Sequence, residues 1–162
     1  VAKFKKLRYH THENVGYGNV HTPPNEMQTE SYWLTFREDL KEWCDAEGLD
    51  APGGLRALAT LLRNLIPVFM MCDPKDIRCW PMMRSSYDQR PTIHVYDAYP
   101  GGVGISKKLF ASDRKVLSAA RELIDCRCAA GCPSCVGPAL EVGEKGKTTA
   151  RRFLHDILEA LE

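Results

Sequence analysis

The sequence predicts an α+β fold: one domain over residues 1–162, with a mainly antiparallel sheet flanked by helices. Three observations carry that prediction. Short aromatic and β-branched segments lie toward the N-terminal side, and stretches with apolar residues at i, i+3, i+4 and i+7 fall between and after them. At 162 residues, 44% hydrophobic and 27% charged, the chain also has the length and composition of a globular domain with a core of its own.

Phe4, Leu7 and Tyr9, mixed with Lys and Arg, read as a charged strand. Turn residues at 14–18 and a return strand at 17–20 would complete a hairpin, and Pro23-Pro24 breaks the pattern. Residues 31–36 (Ser-Tyr-Trp-Leu-Thr-Phe) read as a buried strand. A short helix is expected over 38–47, with Leu40 and Trp43 on its apolar side, then a loop over 50–54. Leu55, Leu58, Ala59, Leu62, Leu65 and Ile66 define a long helix that Pro67 should end or kink, with 68–72 buried beyond it. Residues 77–83 and 92–96 are further strands. A glycine turn at 101–104 leads to a helix whose face is Val116, Leu117, Ala120, Leu123 and Ile124. The last helix carries Ala150, Phe153, Leu154, Ile157, Leu158 and Leu161 on one stripe.

Charge excludes a simple partner argument. Lys and Arg number 22 against 21 Asp and Glu, a net charge of +1, so no global field draws the domain to nucleic acid or an anionic membrane. No apolar run reaches the ~18–20 residues of a membrane span. The start, Val-Ala-Lys-Phe-Lys-Lys, has neither an initiator Met nor a signal-peptide core, so the chain is expected to be a piece of something longer. An odd cysteine count with four cysteines at metal spacing points to a reducing, cytoplasmic setting with zinc.

That cluster is Cys126, Cys128, Cys132 and Cys135, spaced C-x-C-x3-C-x2-C, with Gly131 and Pro133 shaping the turns between. Four thiolates this close suit a tetrahedral Zn²⁺ with Zn–S near ~2.3 Å, and a four-sulfur site keeps no open position for an activated water. The alternative is a set of buried free thiols or a disulfide. The single residue between Cys126 and Cys128 is tighter than the common C-x2-C. Cys44, Cys72 and Cys79 read as small core residues.

A second feature is Val95 to Gly104, a strand running through a Gly-rich turn into a helix, where backbone N–H groups can meet a phosphate. It matches neither a Walker A sequence nor a dinucleotide fingerprint. Gly101, Gly102 and Gly104 as contacts to a nucleic-acid backbone or a partner domain, with Asp97 and Tyr99 at the rim, stand against a purely structural turn. His10 and His12 alternate on the first strand beside Glu13, with His21 further on, as a conceivable second metal site or ordinary hydrogen-bonding residues. Lys3, Lys5, Lys6 and Arg8 either touch phosphates or guard a solvated edge strand. No nucleophile–base constellation accompanies these features.

Several blocks together resemble one family across nearly the whole chain. They are His12-Glu13-Asn14-Val15-Gly16-Tyr17-Gly18, Tyr32-Trp33-Leu34-Thr35-Phe36, Met71-Cys72-Asp73-Pro74-Lys75-Asp76-Ile77, Tyr96 through Gly104, and the cysteine cluster ending Gly131-Cys132-Pro133-Ser134-Cys135-Val136-Gly137-Pro138. The family is the C-terminal zinc-binding module of the MrfA-like (mitomycin-repair) DEAD/DEAH-box superfamily 2 DNA helicases. The resemblance implies a parent that is an ATP-dependent 3′→5′ DNA helicase active in repair. Its ATP and Mg²⁺ would sit in motor domains upstream, and Cys126, Cys128, Cys132 and Cys135 match the family's zinc ligands. This chain would then be a non-catalytic accessory domain, packed on the motor and helping to engage or separate DNA, with no membrane partner. Two other readings remain: a stand-alone phosphoester- or nucleotide-processing enzyme using the Gly101 to Gly104 turn with Asp97 as acid or base, and a protein-interaction module.

Overall fold

The structure, a computed structural model, describes residues 3–21, 23 and 26–161. The break expected at Pro23-Pro24 lies partly outside them, at Pro24, as do the first two residues of the N-terminal hexapeptide. Among the described residues ten elements follow in order: β1 (Lys3–Leu7), β2 (Asn14–Asn19), β3 (Ser31–Thr35), α1 (Leu40–Ala46), α2 (Ala51–Met70), β4 (Ile77–Met82), β5 (Thr92–Asp97), α3 (Ile105–Ile124), α4 (Ala139–Val142) and α5 (Gly146–Ala160). All strand pairings are antiparallel, in a two-stranded hairpin β1-β2 and a three-stranded sheet ordered β3-β5-β4. Helices α2 and α3 cover one face of the larger sheet, and α5 packs against both.

The centre strand β5 buries Ile93, Val95 and Asp97 toward the helices. Pro81, which has no N–H to give a ladder, is tolerated because β4 is an edge. β3 is also an edge strand rather than a buried one. Its side chains alternate, Tyr32 and Leu34 half-buried and Trp33 exposed, and the buried aromatic is Phe36, just beyond its end.

Helix α2 is the central beam, with Leu55, Leu58, Leu61, Leu62 and Ile66 all 3% exposed or less. Burial of side chains of this kind stabilises by ~1.5–3 kcal/mol each. It starts earlier than its apolar repeat suggests. Residues 51–54, expected as loop, form its first turn: Asp50 caps it by accepting from Gly53 N–H at 3.1 Å, and Pro52 sits where no N–H partner is needed. Gly54 is there for close packing, since a Cβ at that position would lie 2.8 Å from Phe153 Cε2.

The helix also ends later. Pro67 lies inside it without ending it, one turn from the left-handed cap at Met71 (φ 53°, ψ 49°), whose N–H bonds to Pro67 O. Because that last turn stays helical and runs past the end of the core, 68–72 are not buried as expected: Val68 is 72% and Met71 92% exposed.

The hairpin departs from expectation as well. The reversal lies at 8–13, held by Arg8 N–H to Glu13 O and His12 N–H to Arg8 O, and β2 starts at Asn14. His10 and His12 therefore belong to the turn, and the strand alternation that would pair them does not exist. Across the hairpin the Phe4 ring lies over Gly18, which has no side chain to displace it.

Candidate metal centre

Helix α3 runs directly into the cysteine segment, ending at the cap residue Asp125. Cys126 N–H bonds back to Leu123 O at 3.1 Å, which turns the chain at the helix end. Cys135 N–H and Gly137 N–H both reach Cys132 O, at 3.0 and 2.9 Å, and wrap the second half of the segment into a tight knuckle. Gly131 (φ 137°) is required, because a Cβ there would meet Val136 Cγ2 at 3.0 Å and collide with Gly137 O.

The four sulfurs converge. Sγ separations are 3.8 Å for Cys126–Cys132, 3.5 Å for Cys128–Cys135 and 3.5 Å for Cys132–Cys135, and all four lie within 4.8 Å of one another. A tetrahedron with metal–sulfur bonds of ~2.3 Å has edges near ~3.8 Å, so this donor set fits Zn²⁺. A disulfide would draw two sulfurs to ~2.0 Å, and all the cysteines are free thiols. Burial pushes the Cys135 thiol up to about 11. Burial also acts on Cys128, but hydrogen bonds from Lys147 and the neighbouring thiols outweigh it and bring its pKa down to about 7. The hydrogen bond with Cys135 lowers that of Cys132.

Lys147 is the residue the sequence reading missed. It is buried, 4% exposed, and its Nζ donates to Cys126 O (2.6 Å), Cys128 O (2.7 Å) and Cys128 Sγ (3.2 Å). One signal was available: a lysine in the first turn of α5 opposes the helix dipole, so another anionic partner has to hold it there. Asn64 of α2 donates to Pro133 O and Cys135 O, both at 3.1 Å, and Arg151 of α5 pairs with Asp125 at 3.0 Å. The knuckle thus joins α2, α3 and α5, and the short α4 covers its exit.

The other candidates fall differently. Asp97 is not at a rim. It is fully buried, and its oxygens accept from Val103 N–H (2.7 Å), Ile105 N–H (3.1 Å), Ser106 N–H (2.9 Å) and the Ser106 hydroxyl (2.6 Å). Burial alone would raise its pKa, but these hydrogen bonds outweigh it and lower it. The carboxylate caps α3 from within the protein. Gly101 N–H is likewise spent on Gln28 O and Gly102 N–H on Tyr99 O. Gly101, Gly102 and Gly104 all take positive φ (80°, 75° and 83°), which a tight strand-to-helix turn requires. Tyr99 is at the surface and donates to Asp76 at 2.8 Å.

Lys5, Lys6 and Arg8 are exposed on the hairpin, whose nearby carboxylate, Glu13, lies 3.8 Å from Arg8. Cys44 is core, its thiol pushed up to about 11 by burial, and the half-buried Cys79 reaches about 12 for the same reason. Cys72 is half-buried.

A sheet layered on helices, with a four-sulfur knuckle between the last two long helices, defines a cysteine-ligated metal module. The model of the MrfA Zn-binding domain family matches residues 58–136 of this chain. That span begins in α2 and ends just past Cys135, so it holds all four cysteines but neither the hairpin nor Lys147.

An uncharacterised ATP-dependent helicase of Bacillus subtilis, YprA, is 36% identical over 158 residues, covering 95% of this chain and 20% of YprA. The ATP-dependent helicase HRQ1 of Saccharomyces cerevisiae is 24% identical over 147 residues, covering 84% of this chain and 13% of HRQ1. The crystal structure of the DUF1998 helicase MrfA bound to DNA superposes with a TM-score of 0.79 at 32% identity, over 96% of this chain and 20% of that one. The structure of MrfA with DNA and AMPPNP gives 0.74 over 95% of this chain. The chain therefore spans about a fifth of the length of YprA and of MrfA. Among the described residues no helix is long and apolar enough to cross a membrane.

Proposed function

We propose that this chain is a zinc-stabilised accessory domain of an ATP-dependent DNA helicase acting in repair, packed on the motor and helping to engage or separate DNA, with no catalysis of its own. The observation that carries the proposal is the convergence of Cys126, Cys128, Cys132 and Cys135 at tetrahedral spacing within a domain homologous to part of helicases. These four residues hold one Zn²⁺, which organises the fold. Four sulfur ligands complete its shell and leave it no substrate position. ATP and Mg²⁺ belong to motor domains elsewhere in a longer, cytoplasmic protein, of which residues 1–162 form one domain. The Asp97 carboxylate already occupies the α3 N-terminus, which favours this reading over phosphate chemistry at the Gly101 to Gly104 turn.

The motor is the occupant that fits the exposed apolar end of α2 and α3. Val68 in the last turn of α2 and Phe110 near the start of α3 are each 72% exposed, and Phe69 shares a shallow pocket with residues 111–115 of α3. Lys5, Lys6 and Arg8 of the hairpin are the proposed contacts to DNA backbone, and the surface of Tyr99 and the Gly101 to Gly104 turn, whose N–H groups are already bonded, is a proposed contact to a partner domain. Metal analysis of chain purified under reducing conditions tests the reading. One zinc per chain, unfolding on chelation and no ATP turnover are expected; a chain that stays folded and metal-free overturns it.

A further inference from the structure

The outer face of the β3-β5-β4 sheet carries side chains that the zinc-module reading does not use. Antiparallel sheets normally turn polar residues outward on their open face. Here the register places Trp33 of β3 opposite His94 of β5, and His94 opposite Trp80 of β4, so three aromatic residues form one row across the sheet. The flanking row is Ser31, Tyr96 and Arg78. Tyr87, from the β4–β5 loop, sets its ring edge-on to Trp33 with centroids 5.2 Å apart, and Trp33 meets His94 in the same way at 5.1 Å. Trp80 is 61% exposed, Tyr87 79% and Trp33 44%.

We propose that this face is a stacking platform for the bases of single-stranded DNA, with Trp33 and Trp80 as the anchoring rings and Arg78 and Arg84 meeting the phosphates.

Two features favour nucleobases over a protein partner. The row is made of heteroaromatic and phenol rings, unlike the aliphatic and phenylalanine surface at the end of α2 and α3. Arg78 is exposed at the end of the flanking row, its guanidinium steadied on Lys75 O and Ile77 O at 2.8 Å with Asp76 nearby, and the β4–β5 loop exposes Arg84 beside its one carboxylate, Asp88. Burial lowers the His94 pKa, so its ring is neutral near pH 7 and stacks rather than pairing with phosphate. Two strand spacings, about 10 Å, separate the Trp33 and Trp80 strands, so each ring offers a separate seat. Stacking needs no base-edge contacts and so tolerates any sequence. The proposal deepens the accessory-domain reading and rests on its claim that the module meets DNA.

The test is tryptophan-fluorescence titration of the zinc-loaded chain with an oligo-dT strand, and with an abasic strand of equal length, at one low salt concentration. Trp80→Ala is expected to weaken oligo-dT binding by about 5- to 150-fold, the range set by loss of one stacked base. Trp80→Phe should recover most of it, and binding to the abasic strand should be weak and unchanged by either variant. Far-UV circular dichroism and a melting temperature equal to wild type confirm that the variants fold. If oligo-dT and abasic strands bind alike, with Trp80→Ala silent and Lys5→Ala plus Lys6→Ala weakening both, the platform is wrong while DNA engagement stands. If neither strand binds and this face is instead buried by the motor in the longer chain, both fail.

Discussion

Replacing Lys147 with methionine removes an ammonium that sits 2.6 and 2.7 Å from two carbonyls of the cysteine segment and 3.2 Å from the Cys128 sulfur. Methionine has a similar length and fills the space, so the cavity contribution is small. Each hydrogen bond from a charged donor is worth ~1.5–3 kcal/mol, and the desolvation of a buried ammonium offsets part of that sum. Without metal the net loss is therefore modest, about 1–3 kcal/mol. With metal a second loss is added. Zn²⁺ with four thiolates carries a net double negative charge, and Lys147 is the buried cation beside it. Loss of an outer-shell partner of this kind costs about 10- to 100-fold in metal affinity, or ~1.4–2.7 kcal/mol. Competition for zinc against a chromogenic chelator measures the affinity, and the Co²⁺-substituted chain gives a sulfur-to-metal charge-transfer band that reports ligand geometry. Lys147→Gln, which keeps a donor but not the charge, should fall between wild type and Lys147→Met. Wild-type zinc affinity in Lys147→Met would refute the electrostatic role outright.

Asp97→Ala should destabilise the chain by ~3–5 kcal/mol in urea unfolding, because three N–H groups and a hydroxyl lose their buried acceptor. Asp97→Asn should cost less, and the sign of its pH dependence is fixed: since the folded pKa of Asp97 is lowered, wild type exceeds Asn by a constant margin above the unfolded pKa of ~3.9, and the margin shrinks as pH falls through the folded value. Cys135→Ser should abolish stoichiometric zinc binding and leave the melting transition insensitive to chelators, whereas wild type loses stability on chelation because metal-binding energy is folding energy. Gly54→Val should lower stability by ~1–3 kcal/mol or more, read by thermal melting, because Phe153 and Thr149 occupy the space its side chain needs. Val68→Asp with Phe110→Ser should leave the melting temperature within error and abolish co-elution with the motor domains.

The helices and the sulfur cluster were legible because each rests on a local rule. A repeat of 3.6 fixes α2, α3 and α5, and ligand spacing fixes the cysteines. What was not legible depends on contacts far apart in sequence. Gly53 and Gly54 look like loop residues until the Asp50 cap and α4 close on the first and α5 on the second, when their lack of a side chain becomes the condition for packing. Val68 to Met71 read as core because they are apolar, yet whether a helix end is covered depends on what packs there, which periodicity does not encode. Asp97 looked accessible beside a glycine turn, but the turn folds back and spends its N–H groups on the carboxylate. Trp33 and Trp80 each read as ordinary strand aromatics, and only the register through His94 sets them in one row.

Helix α3 is held at both ends by different chemistry, and this bears on what the metal controls. At its N-terminus Asp97 satisfies three N–H groups from the end of the adjoining β5, an interaction that needs no cofactor. At its C-terminus the chain leaves regular structure and regains it only in the short α4 and then α5, with the cysteines carrying most of the turn. A segment of this kind buries few apolar side chains of its own, and its carbonyls depend on Asn64 and Lys147. The metal therefore stabilises the α3–α5 junction far more than the sheet. The aromatic face of the sheet is set by β-pairing and by the Asp97 cap, so its geometry is anchored independently of zinc. Zinc held by the proposed ligands would instead fix how α5 closes over α2 and α3, and with it the helical side that the motor is proposed to grip.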